Sequence, residues 1–174
     1  MAKTRLAVIG AGQFGKNHCR VIQESDRAEL VAVVDVESVR AGEAAAAHGA
    51  EPLTDYRGLA GRVDAAVVAA PTSVHEEIGC WLLEAGIDAL VEKPLAPDLG
   101  AADRLVAAAE KSGRVLQVGH LERFNPAVVE LEKRATLSAL ARGGARDPGL
   151  FQTMAGAGVE VEPVEPLQLL DAAQ

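Results

Sequence analysis

The feature that most constrains the fold of this chain is a glycine-rich turn near its N-terminus. Residues 10–15, GAGQFG, have the spacing G-x-G-x-x-G. The apolar run Arg5 to Ile9 before them predicts a buried strand, and Gln13 to Glu24 predicts a helix. In this context the first glycine allows a tight turn, the second lets a pyrophosphate approach the backbone, and the third lets helix and strand pack closely. The pattern predicts a strand–turn–helix unit whose helix N-terminus receives phosphate groups.

The rest of the chain alternates short apolar runs with longer alanine-rich segments. Apolar strands that alternate with helices are typical of a parallel sheet covered on both faces. The predicted fold class is therefore α/β, a doubly wound parallel sheet of the Rossmann type. Asp98 is the predicted N-cap of the last helix in this region. Further strands are predicted over residues 30–34, 65–70, 89–91 and 115–118, and further helices over 38–48, 74–85 and 98–111.

Composition argues against several classes of protein. The chain carries 17 basic and 25 acidic residues, a net charge of −8, which disfavours general binding to nucleic acid or to a membrane surface. Two cysteines, Cys19 and Cys80, are too few for a disulfide framework. The apolar runs are too short for a signal peptide or a membrane span, and the histidines are too scattered to predict a metal site. We expect a cytoplasmic protein without a metal.

The character of the sequence changes near Val129. Residues 133–146 contain four basic side chains and no acidic one, and breakers such as Asp147-Pro148-Gly149 follow. We predict a dinucleotide-binding Rossmann domain over 1–121, and a linker helix with a short, poorly specified appendage over 122–174. One short strand is predicted at Val159 to Val161. A loosely ordered tail and a compact extra subdomain both fit this composition.

An acidic residue at the end of the second predicted strand narrows the range of ligands that the site could bind. Asp35 lies 20 residues after Gly15, where a carboxylate accepts hydrogen bonds from the ribose hydroxyls of an adenosine. It would also repel a 2′-phosphate, which favours NAD over NADP. Two alternatives stay open. In the first, Asp35 serves only as the N-cap of the next helix. In the second, the loop curls back so that Arg40 binds a 2′-phosphate, and NADP remains possible.

A second candidate site follows the strand predicted over 89–91. Glu92-Lys93-Pro94 lies at the carboxyl edge of the sheet, where open α/β sheets hold ligands. A lysine beside a bound nicotinamide exchanges a proton with a substrate oxygen while a hydride moves at the carbon. Glu92 would hold the lysine or the cofactor, and the Lys93–Pro94 bond is a candidate cis peptide. The alternative is a solvated ion pair between Glu92 and Lys93.

Two more motifs accompany these along the chain. APTSVH at 70–75 precedes Glu92-Lys93-Pro94, and GHLERFNP at 119–126 follows it. Together they resemble the nucleotide-binding half of the Gfo/Idh/MocA oxidoreductases, over about Thr4 to Glu130. The resemblance implies NAD(P)-dependent hydride transfer to or from a sugar, cyclitol or nucleotide-sugar. It implies Lys93 as the catalytic residue. The cofactor contacts that it implies are Gly10, Gly12, Gln13, Phe14, Gly15, Asp35, Ala70, Pro71, Thr72, His75, Glu92, Lys93, His120, Arg123 and Asn125.

The resemblance stops short of the substrate-binding part of that family. Its members are much longer, and their second domain supplies the substrate pocket and an Asp and a His that complete the catalytic group. No histidine follows His120 in this chain, so we expect that domain to be missing. The competing interpretation is a non-catalytic dinucleotide-binding remnant or redox-responsive module, and a third is a partner protein without cofactor binding. The exposed sheet face would favour homo-oligomers.

Overall fold

The computed structural model describes residues 2–132, and the chain divides into two units, Met1–Gly119 and His120–Gln174. The first unit contains a six-stranded, all-parallel sheet with strand order β3-β2-β1-β4-β5-β6, which confirms the predicted fold class. Its strands are β1 (Thr4–Ile9), β2 (Ala28–Val34), β3 (Glu51–Leu53), β4 (Ala65–Val68), β5 (Asp88–Val91) and β6 (Leu116–Val118). Its α-helices are α1 (Gln13–Gln23), α2 (Ser38–His48), α3 (His75–Glu84) and α4 (Leu99–Ser112).

Two apolar cores, one on each face of the sheet, hold the helices in place. Alternate residues of β1 enter different cores, because side chains of a strand alternate between its two faces. Ala7 and Ile9 pack with Ile78 and Leu82 of α3. Val8 packs in the other core with the α1 side chains Cys19 and Ile22 and the α2 side chains Ala44 and Ala45. The sheet is thus covered on both sides, as its continuous apolar strands predict.

The strand order places a crevice at the carboxyl ends of the strands. From β1 the chain runs outward through β2 to β3 and then returns to β4, which pairs with β1 on its other side. The connections that leave the carboxyl ends of β1 and β4 therefore diverge. Open α/β sheets bind their ligands at such a switch point.

Most predicted elements are confirmed, with shifts of a few residues at their ends. Asp98 is the N-cap of α4, and its Oδ1 accepts a hydrogen bond of 2.8 Å from the Ala101 N–H. The strand predicted to reach Ala70 ends at Val68, and a 3₁₀ turn at Thr72–Val74 precedes α3. The short edge strand β3, paired with β2, was not predicted. A second 3₁₀ turn at Tyr56–Leu59 follows it.

The second unit is described only over its first residues, with a 3₁₀ turn at Leu121–Phe124 and a helical segment over 126–132. The strand predicted at Val159 to Val161 lies outside the described residues, and the boundary between 121 and 122 stays a prediction. Within residues 2–132, no helix combines the length and the apolar character that crossing a membrane requires.

Candidate functional site

A crevice of about 650 Å³ opens at the switch point of the sheet. Its walls come from the turn after β1, the segment after β2, the residues that follow β3, and the loop between β4 and α3. The structure brings seven of the predicted cofactor residues together in these walls: Gly10, Gly12, Gln13, Phe14, Asp35, Ala70 and Pro71.

The three glycines of the turn differ in the space around them. Gly10 has φ +98°, and a Cβ there would lie 2.5 Å from the carbonyl oxygen of Ala69. A Cβ on Gly15 would overlap the carbonyl oxygen of Gly10 and lie 2.9 Å from its carbonyl carbon. A Cβ on Gly12 would meet nothing within 4 Å. Gly10 and Gly15 thus serve the turn and the packing of α1 on β1, whereas Gly12 leaves open space for a ligand.

The N-terminus of α1 lies at this open space. Gly12 is its N-cap, without a side-chain capping bond, and the first turn contains no acidic residue. The first N–H groups of a helix have no partner within the helix and carry a partial positive charge. The arrangement suits a phosphate or pyrophosphate group.

Asp35 follows β2 and is 9% exposed. Its Oδ2 accepts the Ala11 N–H at 2.9 Å, and its Oδ1 accepts the Glu37 N–H at 2.9 Å and the Arg40 Nη2–H at 3.0 Å. Burial by itself would raise the pKa of Asp35, but these hydrogen bonds outweigh it, so the pKa lies below its usual value. A carboxylate held ionised on the crevice wall is an acceptor for paired hydroxyl groups.

The structure bears on both alternatives for this position, N-capping by Asp35 and binding of a 2′-phosphate by Arg40. Asp35 is not the N-cap of α2, because Glu37 occupies that position and makes no side-chain capping bond. Arg40 lines the crevice and its guanidinium already contacts Asp35. With Arg40 half-exposed beside the carboxylate, the wall carries both an acceptor for hydroxyls and a cation for a 2′-phosphate.

The far wall of the crevice contains residues that the sequence did not indicate. The Tyr56 hydroxyl donates a hydrogen bond of 2.7 Å to Glu77, and the Tyr56 ring meets Trp81 edge-on with centroids 5.3 Å apart. Burial, with the nearby charge of Glu77, raises the pKa of Tyr56 to about 12. Thr54 and Tyr56 follow the unpredicted strand β3, so only the position of that strand would have indicated them. The apolar residues that line the crevice include Val36, Val74 and Ile78.

The segment after β5 forms a separate group of polar contacts. Glu92 is 7% exposed. Its Oε1 lies 2.8 Å from His18 Nε2, and its Oε2 accepts the backbone N–H of Lys93 at 3.2 Å. The side chain of Lys93 is exposed, and the Lys93–Pro94 peptide is cis. Glu92 is paired with His18, a residue that sequence reasoning did not assign to the site.

His75 connects two of the loops at this edge of the sheet. It is 1% exposed, with Nε2 2.8 Å from the Ala70 carbonyl and Nδ1 3.0 Å from the Pro94 carbonyl. It therefore holds the loop after β4 against the segment after β5. The residues that line the crevice do not include His75, Thr72, Gly15, Glu92 or Lys93.

The remaining predicted residues belong to the second unit. His120 is exposed, and Asn125 is exposed with its Oδ1 accepting the Ala127 N–H at 3.0 Å. Arg123 falls in the 3₁₀ turn, but its side chain lies outside the described part of the structure. The cofactor contacts of these three residues stay predictions.

Residues 4–120 match Gfo/Idh/MocA, an oxidoreductase family with an NAD-binding Rossmann fold. Inositol 2-dehydrogenase 4 of Saccharopolyspora erythraea is 39% identical over 143 residues, which cover 79% of this chain and 42% of that protein.

Solved structures show the same relationship. UDP-N-acetylglucosamine 3-dehydrogenase from Acidithiobacillus ferrooxidans superposes with a TM-score of 0.72 at 32% identity, over 77% of this chain and 44% of that one. The WlbA dehydrogenase from Bordetella pertussis, solved in complex with NADH and UDP-GlcNAcA, gives a TM-score of 0.73 at 33% identity, over 79% and 40% of the two chains. The match spans less than half the length of each of these relatives.

Proposed function

This chain belongs to the Gfo/Idh/MocA oxidoreductases by its NAD-binding Rossmann domain, and on that basis we propose that its crevice binds NAD, with NADP as a second ligand. We propose further that Lys93 exchanges a proton with the substrate oxygen during hydride transfer. The substrate class proposed is a sugar-like alcohol, a cyclitol or a nucleotide-sugar. The strongest support is the continuity of the crevice from the open side of Gly12 to the carboxylate of Asp35.

The residues present fit an adenine dinucleotide. The first-turn N–H groups of α1 would bind the pyrophosphate, which reaches the backbone because Gly12 has no side chain. Asp35 would accept from the adenosine ribose, and the wall that contains Val36 and Tyr56 would receive the adenine ring. Arg40 would bind a 2′-phosphate where one is present.

A bound nicotinamide supplies the acceptor or donor of the hydride. Lys93 follows β5 at the carboxyl edge of the sheet, the edge at which the crevice opens. The Lys93 side chain there would donate a proton to the substrate oxygen as the ammonium, or accept one from it as the neutral amine. Glu92 and His75 would fix the segment that carries Lys93, through the contacts with His18 and with the Pro94 carbonyl.

A second candidate function is dinucleotide binding without turnover. It is favoured by the location of every residue that lines the crevice within the range 9–78. Catalysis also needs groups that orient the substrate, and orientation supplies much of an enzyme's rate.

Titration with NADH distinguishes a ligand crevice from a purely structural one. Trp81 contacts Tyr56 of the crevice wall, so its fluorescence reports binding. We expect saturable binding that weakens about tenfold or more in Asp35→Ala. Asp64 is a matched control, because it also accepts a backbone N–H and an arginine, both from Arg5, but lies just before β4 at the opposite edge of the sheet. Lack of binding by the wild type, or equal losses in Asp35→Ala and Asp64→Ala, would refute the proposal.

Turnover distinguishes the two candidate functions. The protein is assayed with NAD and NADP against inositols, other polyols and nucleotide-sugars. For an oxidoreductase we expect activity that disappears in Lys93→Ala while the affinity for NADH stays within about threefold. Binding of NADH without turnover on any of these substrates supports the non-catalytic function.

A further inference from the structure

A partly buried histidine and a buried glutamate from distant parts of the sequence meet beside the segment that carries Lys93. His18 comes from α1 and Glu92 from the residue after β5, and His18 Nε2 lies 2.8 Å from Glu92 Oε1. The side chains are only 14% and 9% exposed. Breaking such a pair leaves a buried carboxylate without its main partner, which is costly, so the two elements are firmly connected at this point.

The carboxylate of Glu92 is restrained on its other sides as well. Its Oε2 accepts the backbone N–H of Lys93 at 3.2 Å. Gly119, just after β6, packs so closely that a Cβ there would lie 2.9 Å from the carboxyl carbon. The orientation of Glu92 therefore fixes the backbone at Lys93, and only small movements of the carboxylate are possible.

His18 also lies close to the proposed phosphate site along α1. It is three residues after Gly15 and four after Phe14, so it lies one helical turn after Phe14, in the second turn of the helix. Gly15 packs against the carbonyl of Gly10, which prevents α1 from sliding independently of the glycine turn. A group bound at that turn would act on the same rigid helix that carries His18.

From this geometry we infer that His18 and Glu92 are positioning residues, which transmit the seating of a dinucleotide at the glycine turn to the backbone of Lys93. The inference rests on the proposed function of the crevice and adds a connection between its phosphate end and the lysine. The path runs from the N-terminus of α1 to His18, then to Glu92, and then to the Lys93 N–H. Neither side chain of the pair lines the crevice itself.

The first test needs no cofactor. Exchange of the Lys93 amide hydrogen is measured by NMR in the wild type, in His18→Leu, which removes the donor, and in His18→Gln, which keeps an N–H group. We expect exchange about tenfold faster in His18→Leu and restored protection in His18→Gln. Asn17→Ala, an exposed position on the same helix, is the control and should leave the rate unchanged. Equal rates in the wild type and His18→Leu would overturn the inference.

The second test measures the coupling. Addition of ADP, which carries phosphates for the glycine turn but no nicotinamide to contact Lys93, should shift the amide resonance of Lys93 in the wild type and in His18→Gln. It should not do so in His18→Leu, although the NADH affinity of that variant stays within about threefold. An equal shift in His18→Leu would overturn the coupling. If His18→Leu does not fold, His18→Phe, which keeps a planar ring and removes the ring N–H, serves in both tests with the same expected direction.

The two proposals fail in different ways. A wild type that does not bind NADH overturns the proposed function and, with it, the coupling to the dinucleotide. The exchange experiment still decides, in that case, whether His18 and Glu92 hold the Lys93 backbone. Normal NADH binding with unchanged Lys93 exchange in His18→Leu refutes the positioning role alone.

Discussion

The same substitution, glycine to alanine, should affect different properties at two positions of the glycine turn that are three residues apart. At Gly12 an added methyl group enters open space, and the backbone has φ −72°, which alanine adopts freely. At Gly15 the methyl group would overlap the Gly10 carbonyl, a backbone group that moves only with the whole turn. Gly12→Ala is therefore expected to affect ligand binding, and Gly15→Ala to affect stability.

The expected magnitudes differ accordingly. Gly12→Ala loses a favoured N-cap residue but also restricts the unfolded chain, and these effects of about 0.5–1 kcal/mol each nearly cancel. Gly15→Ala gains about 1 kcal/mol of helix propensity, but it forces the turn to move by about 1 Å, and overpacking of this kind costs about 3 kcal/mol or more. The net loss of about 2 kcal/mol lowers the Tm by about 8 °C for a domain of this size.

Thermal unfolding and NADH titration of the two variants provide the assay. For Gly12→Ala we expect a Tm within about 2 °C of the wild type, and NADH binding at least about tenfold weaker because the methyl group occupies the path of the pyrophosphate. For Gly15→Ala we expect the lower Tm. Wild-type affinity in Gly12→Ala would refute the assignment of the open space to a phosphate, and a wild-type Tm in Gly15→Ala would refute the packing argument.

Three further predictions follow from individual contacts. The pKa of Asp35 is lowered in the folded state, so its stabilisation is present above its unfolded pKa, about 3.9, and is lost as the pH falls through the folded value. Urea unfolding should show a stability difference between wild type and Asp35→Asn that is constant above about pH 5 and shrinks below it; a constant difference down to pH 2 contradicts this. Arg40→Ala should weaken NADPH binding about tenfold more than NADH binding, and equal losses would exclude Arg40 as the phosphate ligand. His75→Leu removes a buried imidazole that lies within hydrogen-bond distance of the Ala70 and Pro94 carbonyl groups, and it should lower the Tm by about 8 °C; an unchanged Tm would show that neither contact stabilises the fold.

The central part of the fold was predictable because local and tertiary requirements agree there. The run before Gly10 is continuously apolar because β1 lies between two other strands and is buried on both faces. The edge strand β3 was missed because its sequence, Glu-Pro-Leu, contains an acid and a proline and forms a strand only by pairing with β2. Proline is tolerated there because an edge strand has one unpaired side.

The candidate site was predictable to the extent that its residues belong to sequence motifs. The glycines and Asp35 have fixed spacings, and the structure brings Gly10, Gly12 and Asp35 into one crevice. Tyr56 and Glu77 have no such pattern, since they meet only through the path of the chain after β3. The pairing of His18 with Glu92 spans 74 residues, and no local spacing indicates it.

The carboxylate of Asp35 has one oxygen committed to the Ala11 N–H within the glycine turn. Replacing this acid to convert the protein from one nicotinamide coenzyme to the other would also loosen the turn at which we propose that the diphosphate binds. A change of coenzyme, by laboratory redesign or by natural divergence, therefore costs less stability at the solvent-facing neighbours Val36 and Arg40, with Asp35 left in place. Under the proposed function, the side chain that binds the adenosine ribose is also the one that holds the loop in shape.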